Sequence, residues 1–275
     1  MSESLFRCPI CRLSLEKRET ALICGGGHSF DLAKEGYAHL LPSDKMRAKI
    51  PGDSKEMVAA RRAFLDSGGY AIFAEALQKI MLTLLPNGGV MLDAGCGEGY
   101  YTRAVANAFS QNKKPLKTAA FDISKFAVKS AAKRGGNGIE YAVAGSFDIP
   151  VADGCADAVL NIFSPMAQAE FARVLKKGGV LVFAVPSPRH LFGLKQKLYE
   201  KPYLNETREA QYDGFILEDR IPARGEITVQ NAQIKKLFSM TPYYWKTPQP
   251  AAEALYSLDS LTTEIGFDFV VYRRG

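Results

Sequence analysis

No stretch of the 275-residue chain is long and apolar enough to read as a membrane span, and its start, Met1-Ser2-Glu3-Ser4, lacks the basic and apolar regions of a secretory leader. The reading excludes insertion into a membrane and points to the cytoplasm. Cysteine is scarce: there are five, and three fall within the first 24 residues. A reducing compartment argues against pairing them as disulfides, so their clustering needs another cause. Charge of one sign is only mildly in excess, at +6, which by itself raises nucleic-acid binding little above its ordinary frequency. What remains, 47% hydrophobic and 23% charged residues, is the composition of a globular chain able to bury a core.

One further absence selects the cofactor. In Val90-Met91-Leu92-Asp93-Ala94-Gly95-Cys96-Gly97-Glu98-Gly99-Tyr100-Tyr101-Thr102 an apolar run ends in an acid, and three alternating glycines precede a helix-like segment. That order reads as strand, tight turn and helix N-terminus. The glycines let a ligand lie against bare backbone, while the first N–H groups of the helix are available to an anion. A dinucleotide fingerprint, G-x-G-x-x-G, would need glycine at position 100, where the chain has tyrosine. The spacing Asp93-x-Gly95-x-Gly97-x-Gly99 instead resembles the first motif of class I S-adenosylmethionine (SAM) methyltransferases. Asp122, at the end of Ala119-Ala120-Phe121-Asp122 and 23 residues beyond Gly99, is placed to accept both ribose hydroxyls of such a cofactor. The alternative is a plain glycine-rich turn, with Asp122 capping the next helix.

Cys8-Pro9-Ile10-Cys11 and Cys24-Gly25-Gly26-Gly27-His28 form two ligand pairs with 12 residues between them. Two such knuckles joined by a hairpin set three thiolates and one imidazole around a tetrahedral, closed, structural zinc site. A redox Cys-x-x-Cys would leave His28 unexplained. Leu13, Leu15, Leu22 and Ile23 are too few to hold this segment together, so the metal is expected to supply much of its stability. Arg7, Arg12, Lys17, Arg18 and Lys34 around it either touch nucleic acid or are ordinary solvating charges.

The rest alternates as an α/β fold should. Residues 43–50 are polar and basic, with Lys45, Arg47 and Lys49, and read as a linker or mobile loop. Asp53 or Ser54 caps a helix that breaks at Gly68-Gly69, and Tyr70 opens the next, where it either overhangs the cofactor pocket or packs. Lys125, Lys129 and Lys133 share one helix face, which either meets phosphate or is solvated. By position, Phe147 stacks on adenine and Asp148 accepts from its amino group. Asn161 and Phe163, at the end of the fourth strand, either face a target base or serve packing. Val180 to Val185 is the fifth strand and 199–220 a charged insertion. Phe215 to Val229 and Phe267 to Arg273 suit a closing antiparallel pair. Between them, Met240-Thr241-Pro242-Tyr243-Tyr244-Trp245-Lys246 either stacks a base or belongs to the core.

The zinc pairs, Lys34-Glu35-Gly36-Tyr37, Leu40-Leu41-Pro42, Gly52-Asp53-Ser54-Lys55-Glu56-Met57, Ala60-Arg61-Arg62-Ala63-Phe64-Leu65, Gly68-Gly69-Tyr70 and the glycine motif resemble, in order from Cys8 to about Leu191, the 23S rRNA guanine-N1 methyltransferases of the RlmA type. The resemblance implies a Rossmann-like, seven-stranded, mostly parallel sheet behind a small zinc-ribbon-like unit. It divides the chain into a zinc-binding RNA-recognition unit (1–42), a linker with leading helices (43–88) and the SAM-dependent methyltransferase domain (89–275). It implies that Cys8, Cys11, Cys24 and His28 hold zinc, that the zinc unit helps grip an rRNA hairpin, that Tyr70, Gly97, Glu98 and His190 approach SAM, and that the protein works as a homodimer. Macrolide resistance attaches to one type within that family.

The methyl donor is self-activating, so alignment is the enzyme's main task. Guanine N1 lies on the Watson–Crick edge, so the base must be unpaired or extruded. Cys96, in the cofactor loop, and Cys155, in a turn, are poorly placed for a cysteine mechanism; no general base is assigned, and Asn161 is the catalytic candidate. Two other functions fit the same residues. One is methylation of a small molecule, with the zinc unit as lid or dimer contact. The other is a non-catalytic RNA-binding assembly factor that retains SAM.

Overall fold

A computed structural model describes residues 2–46, 51–136, 138–206, 211–244 and 246–275; the expectations for Arg47, Lys49 and Trp245 lie outside the described residues. The chain opens with β1 (Ser2–Arg7), β2 (Ser14–Lys17), β3 (Ala21–Cys24) and β4 (Ser29–Asp31), an antiparallel sheet in that order. Leu15 and Leu22 are buried on the inner face, Glu16 points to the other, and Lys17 at the strand end stays in solvent.

The second sheet has eight strands in the order β11-β12-β10-β9-β6-β7-β8-β5. Its parallel part is β5 (Ala38–His39), β6 (Gly89–Ala94), β7 (Leu116–Asp122), β8 (Ile139–Val143), β9 (Ala156–Ile162) and β10 (Leu175–Pro186). The closing antiparallel pair is β11 (Phe215–Gln230) with β12 (Ser260–Arg274), and β12 also runs antiparallel to β10. The resemblance implies seven strands; the eighth is β5, which leaves the zinc unit and pairs with β8. β11 matches its expected span to within one residue, while β12 begins already at Ser260 instead of Phe267.

Central strands of a parallel sheet are covered on both faces and therefore read as unbroken apolar runs. Here alternate residues of one run enter different cores. Met91, Leu160 and Val182 join Phe64, Phe73 and Phe109 on one face, while Leu92, Val159 and Leu181 join Phe121 and Phe171 on the other. The second core also contains Phe6, Leu15 and Leu22. The zinc unit is thus seated on the sheet rather than tethered to it, and its few leucines need not stand alone; Leu13 is exposed.

Helix α1 (Lys55–Asp66) starts at Ser54, whose hydroxyl oxygen accepts from Met57 N–H at 3.3 Å, a bond that satisfies one orphan donor. Helix α2 (Ala71–Leu84) follows, with Tyr70 at its N-cap. Helix α3 (Tyr100–Gln111) opens directly after Gly99, and α4 (Lys125–Arg134) is capped by Ser124. The shorter helices are α5 (Gln168–Val174), α6 (Phe192–Leu198), α7 (Asn231–Ser239) and α8 (Gln249–Tyr256), the last two lying in sequence between β11 and β12. Among the described residues no helix is long and apolar enough to cross a membrane.

Candidate active site and metal centre

Cys8, Cys11, Cys24 and His28 bring their ligand atoms within 4.8 Å of one another. Knuckle hydrogen bonds set this up: Arg12 N–H donates to Cys8 O at 2.9 Å, and Gly27 N–H to Cys24 O at 3.0 Å. The imidazole presents Nδ1, 3.6 Å from Cys8 Sγ and 3.4 Å from Cys24 Sγ, and Cys11 Sγ lies 3.6 Å from Cys24 Sγ. Zinc bonds of about 2.3 Å to sulfur and about 2.0 Å to nitrogen give tetrahedral edges of roughly 3.5–3.8 Å. The quartet therefore fits a closed zinc site without a free coordination position.

At the carboxyl ends of β6, β7, β9 and β10 lies a cleft of about 1530 Å³. β6 has β7 on one side and β9 on the other, so the sheet changes direction there, where open α/β sheets collect ligands. The volume exceeds the roughly 300–1,000 Å³ of an ordinary small-molecule site and leaves space for a second reactant beside a nucleoside.

The motif glycines do different jobs. A Cβ on Gly95 would overlap Ser164 Oγ, and one on Gly99 would sit 2.8 Å from Ala131 Cβ, so these two permit the loop to pass β9 and α3 to approach α4. Gly97, at φ 55°, has nothing nearer to such an atom than Arg61 Nη1 at 3.9 Å; it is the bare backbone facing the cleft. Gly97 N–H donates to Asp122 Oδ2 at 3.0 Å and Gly99 N–H to Cys96 O at 3.0 Å. The first of these donors crosses to the end of β7 and the second closes the loop on itself. Asp93 is buried and accepts from Thr102 Oγ1–H at 2.6 Å, tying β6 to the first turn of α3. Burial pushes its carboxyl up to about 7.

Asp122 lines the cleft, and its two oxygens accept from Gly97 N–H and, at 2.8 Å, from Ser124 N–H. Burial raises its pKa, and the two N–H donors pull the other way. A carboxylate has acceptor capacity beyond two bonds, which suits ribose hydroxyls.

Three expectations meet partners that the sequence did not reveal. Glu98 lines the cleft, but its Oε2 is held by Arg134, which also reaches Asp66 at 2.7 Å. Its buried Oε1 has no hydrogen-bond partner among the described residues and is the part left for a ligand. Asp148 pairs with Arg12 of the zinc unit, leaving the exposed Phe147 as the adenine-side candidate. Asn161 is 3% exposed, donates through Nδ2 to Pro165 O at 3.1 Å and is not among the residues lining the cleft, whereas Phe163 lines it and is half exposed. The amide braces the loop that presents Phe163.

Tyr70 and His190 meet in the lining of the same cleft. Their hydroxyl and Nε2 lie 3.5 Å apart, and Gly266 N–H donates to His190 Nδ1 at 3.2 Å. With Nδ1 occupied as an acceptor, the proton of the neutral ring sits on Nε2. Phe267 packs on both rings, with centroids 4.2 Å from His190 and 5.8 Å from Tyr70, and lies 4.5 Å from Phe163. The 199–220 insertion braces this wall. Buried Lys195 donates to Tyr203 O at 3.0 Å and Asn205 Oδ1 at 2.7 Å, and Asn205 Nδ2 donates to Ser187 O at 2.9 Å and His190 O at 3.2 Å.

Burial, then the nearby Lys195 charge, push His190 down to about 3 from an ordinary 6.5. The unfolded chain therefore takes up this proton first, so the contribution to stability is complete above about pH 6.5 and is lost as the pH falls toward 3. Relative to His190→Gln, the wild type is expected to lose up to ~3 kcal/mol between pH 6.5 and 4. Parallel denaturant titrations of the two proteins across that range read the difference, and parallel pH profiles would refute it.

Residues 6–49 match the family model for the N-terminal zinc ribbon of RlmA, and residues 92–183 match a methyltransferase domain model. The chain is 36% identical over 195 residues to a 23S rRNA (guanine(748)-N(1))-methyltransferase of Streptomyces fradiae, covering 70% of this chain and 67% of the relative. It is 30% identical over 281 residues to YxjB of Bacillus subtilis (strain 168), provisionally named a 23S rRNA (guanine-N(1)-)-methyltransferase, covering 98% of this chain and 96% of that one. A provisionally named counterpart from Micromonospora griseorubida is 31% identical, over 88% of this chain and 87% of its own length. A zinc ribbon seated on a SAM-type sheet, with relatives matched from end to end, means that the chain belongs to the family of 23S rRNA (guanine-N1)-methyltransferases.

Proposed function

We propose that this chain transfers a methyl group from SAM to N1 of a guanine in a 23S rRNA hairpin, in the cytoplasm. The observation that carries the reading is a single cleft lined both by a nucleoside-type loop (Asp93, Gly95, Gly97, Gly99, Asp122) and by half-exposed Phe163. When bound, SAM supplies a methyl group made electrophilic by its cationic sulfur. Asp122 accepts from the ribose hydroxyls, Gly97 gives close backbone approach, and Tyr70, Glu98 Oε1 and His190 complete the walls. The extruded guanine stacks on Phe163, whose ring is held by Phe267. His190 orients rather than accepts a proton, since Nδ1 is already taken by Gly266 N–H. Burial raises the thiols of Cys96 and Cys155, so neither supplies a thiolate nucleophile near neutral pH. Cys8, Cys11, Cys24 and His28 hold one structural zinc, and a homodimer is the working form in this reading.

The relatives' names support rRNA over a small-molecule substrate, and the unbroken cofactor loop with an open cleft beside it supports catalysis over an inert assembly factor. A methyl on N1 blocks Watson–Crick pairing, so primer extension with mass mapping on 23S rRNA is the direct test. One guanine should carry the mark in cells that express the chain and lose it on deletion. Identical rRNA in both strains would reject the proposal.

A further inference from the structure

The cleft is rich in acid and poor in base. Among its lining residues the permanent cations are Arg61 and Lys246, set against six carboxylates. Lys246 belongs to the 240–246 segment, which is tied to Asn205 through the Tyr243 hydroxyl. Arg61 stands elsewhere. Its Nη1 is the nearest atom to the bare face of Gly97, at 3.9 Å from where a Cβ would begin, and its charge acts on Tyr70, Tyr101 and Asp122 across the cleft.

Its position is fixed from several sides. Asp53 Oδ2 takes the guanidinium at 2.9 Å. The Asp53 carbonyl accepts from Ser124 Oγ–H at 2.7 Å, and neighbouring Gly52 lies so close that a Cβ would sit 2.8 Å from Ser124 Cβ. One residue on, Arg62 donates to Ser130 Oγ of α4 at 3.0 Å. The start of α1 is thereby clamped to the turn that carries Asp122, and the guanidinium is held between the two loops that frame a nucleoside. Five N–H donors in a planar fork leave an edge beyond the Asp53 contact.

SAM bears one carboxylate, at the end of its amino-acid chain, and a carboxylate brought into a partly desolvated acidic cleft without a cation is costly. Resting on the reading of this cleft as the SAM site, we propose that Arg61 receives that carboxylate, with Asp53 as the positioning residue that holds the guanidinium over Gly97. The arrangement selects ligands that carry the amino-acid carboxylate over nucleosides that lack it.

Calorimetry on the full-length, zinc-loaded protein tests this with two ligands, S-adenosylhomocysteine and its analogue lacking only the carboxylate. A charge-assisted bidentate contact predicts that the wild type prefers the first by about 10- to 100-fold. In Arg61→Gln the preference should fall below about 3-fold while affinity for the decarboxylated ligand is unchanged; Arg61→Lys should retain part of it. Even if a variant misfolds, the ligand pair on the wild type alone is able to refute the inference. An absent preference in the wild type, an equal preference in wild type and Arg61→Gln, or a parallel loss of both ligands in the variant would each overturn the inference. A wild type that binds neither ligand would instead overturn the assignment of the cleft to SAM.

Discussion

Stripping zinc from the Cys8, Cys11, Cys24 and His28 quartet is expected to lower the melting temperature by about 10 °C and to weaken S-adenosylhomocysteine binding at least about 10-fold. Structural zinc contributes roughly 10–16 kcal/mol to isolated zinc-finger peptides. Loss of even about 4 kcal/mol lowers the midpoint by ~10 °C in a chain of this size. The effect on the nucleoside site follows from the contacts of the zinc unit. Arg12, inside the first knuckle and at φ 63°, pairs with Asp148 next to Phe147. Leu40 N–H donates to Val143 O at 2.9 Å, and Leu40, Leu41 and Pro42 line the cleft. Metal content, thermal unfolding and calorimetry on the same chelated sample measure all three quantities. Unchanged ligand affinity at zero metal content would make the unit a separate RNA-gripping element with no share in the cofactor pocket.

The second large effect concerns Asp122. Asp122→Ala removes the acceptor for two backbone N–H groups and, in the proposed complex, for the ribose hydroxyls. Hydrogen bonds to an ionised group are worth about 1.5–3 kcal/mol each, so affinity for SAM and for S-adenosylhomocysteine is expected to drop by more than about 100-fold. Asp122→Asn keeps the shape but one of its two atoms becomes a donor facing a donor, and an intermediate loss of about 10-fold is expected. Titration with S-adenosylhomocysteine checks both. Binding by Asp122→Ala within about 3-fold of the wild type would remove Asp122 from the site.

Much of this architecture was legible because its signals are local. β6, β7 and β9 are buried on both faces and announce themselves as apolar runs, and the glycine motif and the thiol–imidazole pairs are patterns of spacing. The caps are local too: of the two alternatives for α1, Ser54 supplies the acceptor. What stayed hidden is which charge meets which across the fold. Glu98 is engaged by Arg134 and Asp148 by Arg12, partners 36 and 136 residues away. Such pairing depends on how α4 and the zinc knuckle pack, which no window of sequence contains. Asn161 reads equally as a catalytic amide or a brace until the carbonyl of Pro165 is seen beside it. β5 is two residues long, below what periodicity can register. Lys195, on the short α6, draws no notice in the sequence, yet it is fully buried against Tyr203 and Asn205.

The pairing of β5 with β8 bears on how this protein can be cut. β8 has β7 on one side and Ala38–His39 on the other, so a fragment beginning near the start of α1 would leave a row of main-chain donors and acceptors uncovered, together with the apolar surface that Phe6, Leu15 and Leu22 shield. Open strand edges of that kind template self-association. Truncation should therefore yield aggregates instead of a minimal catalytic core.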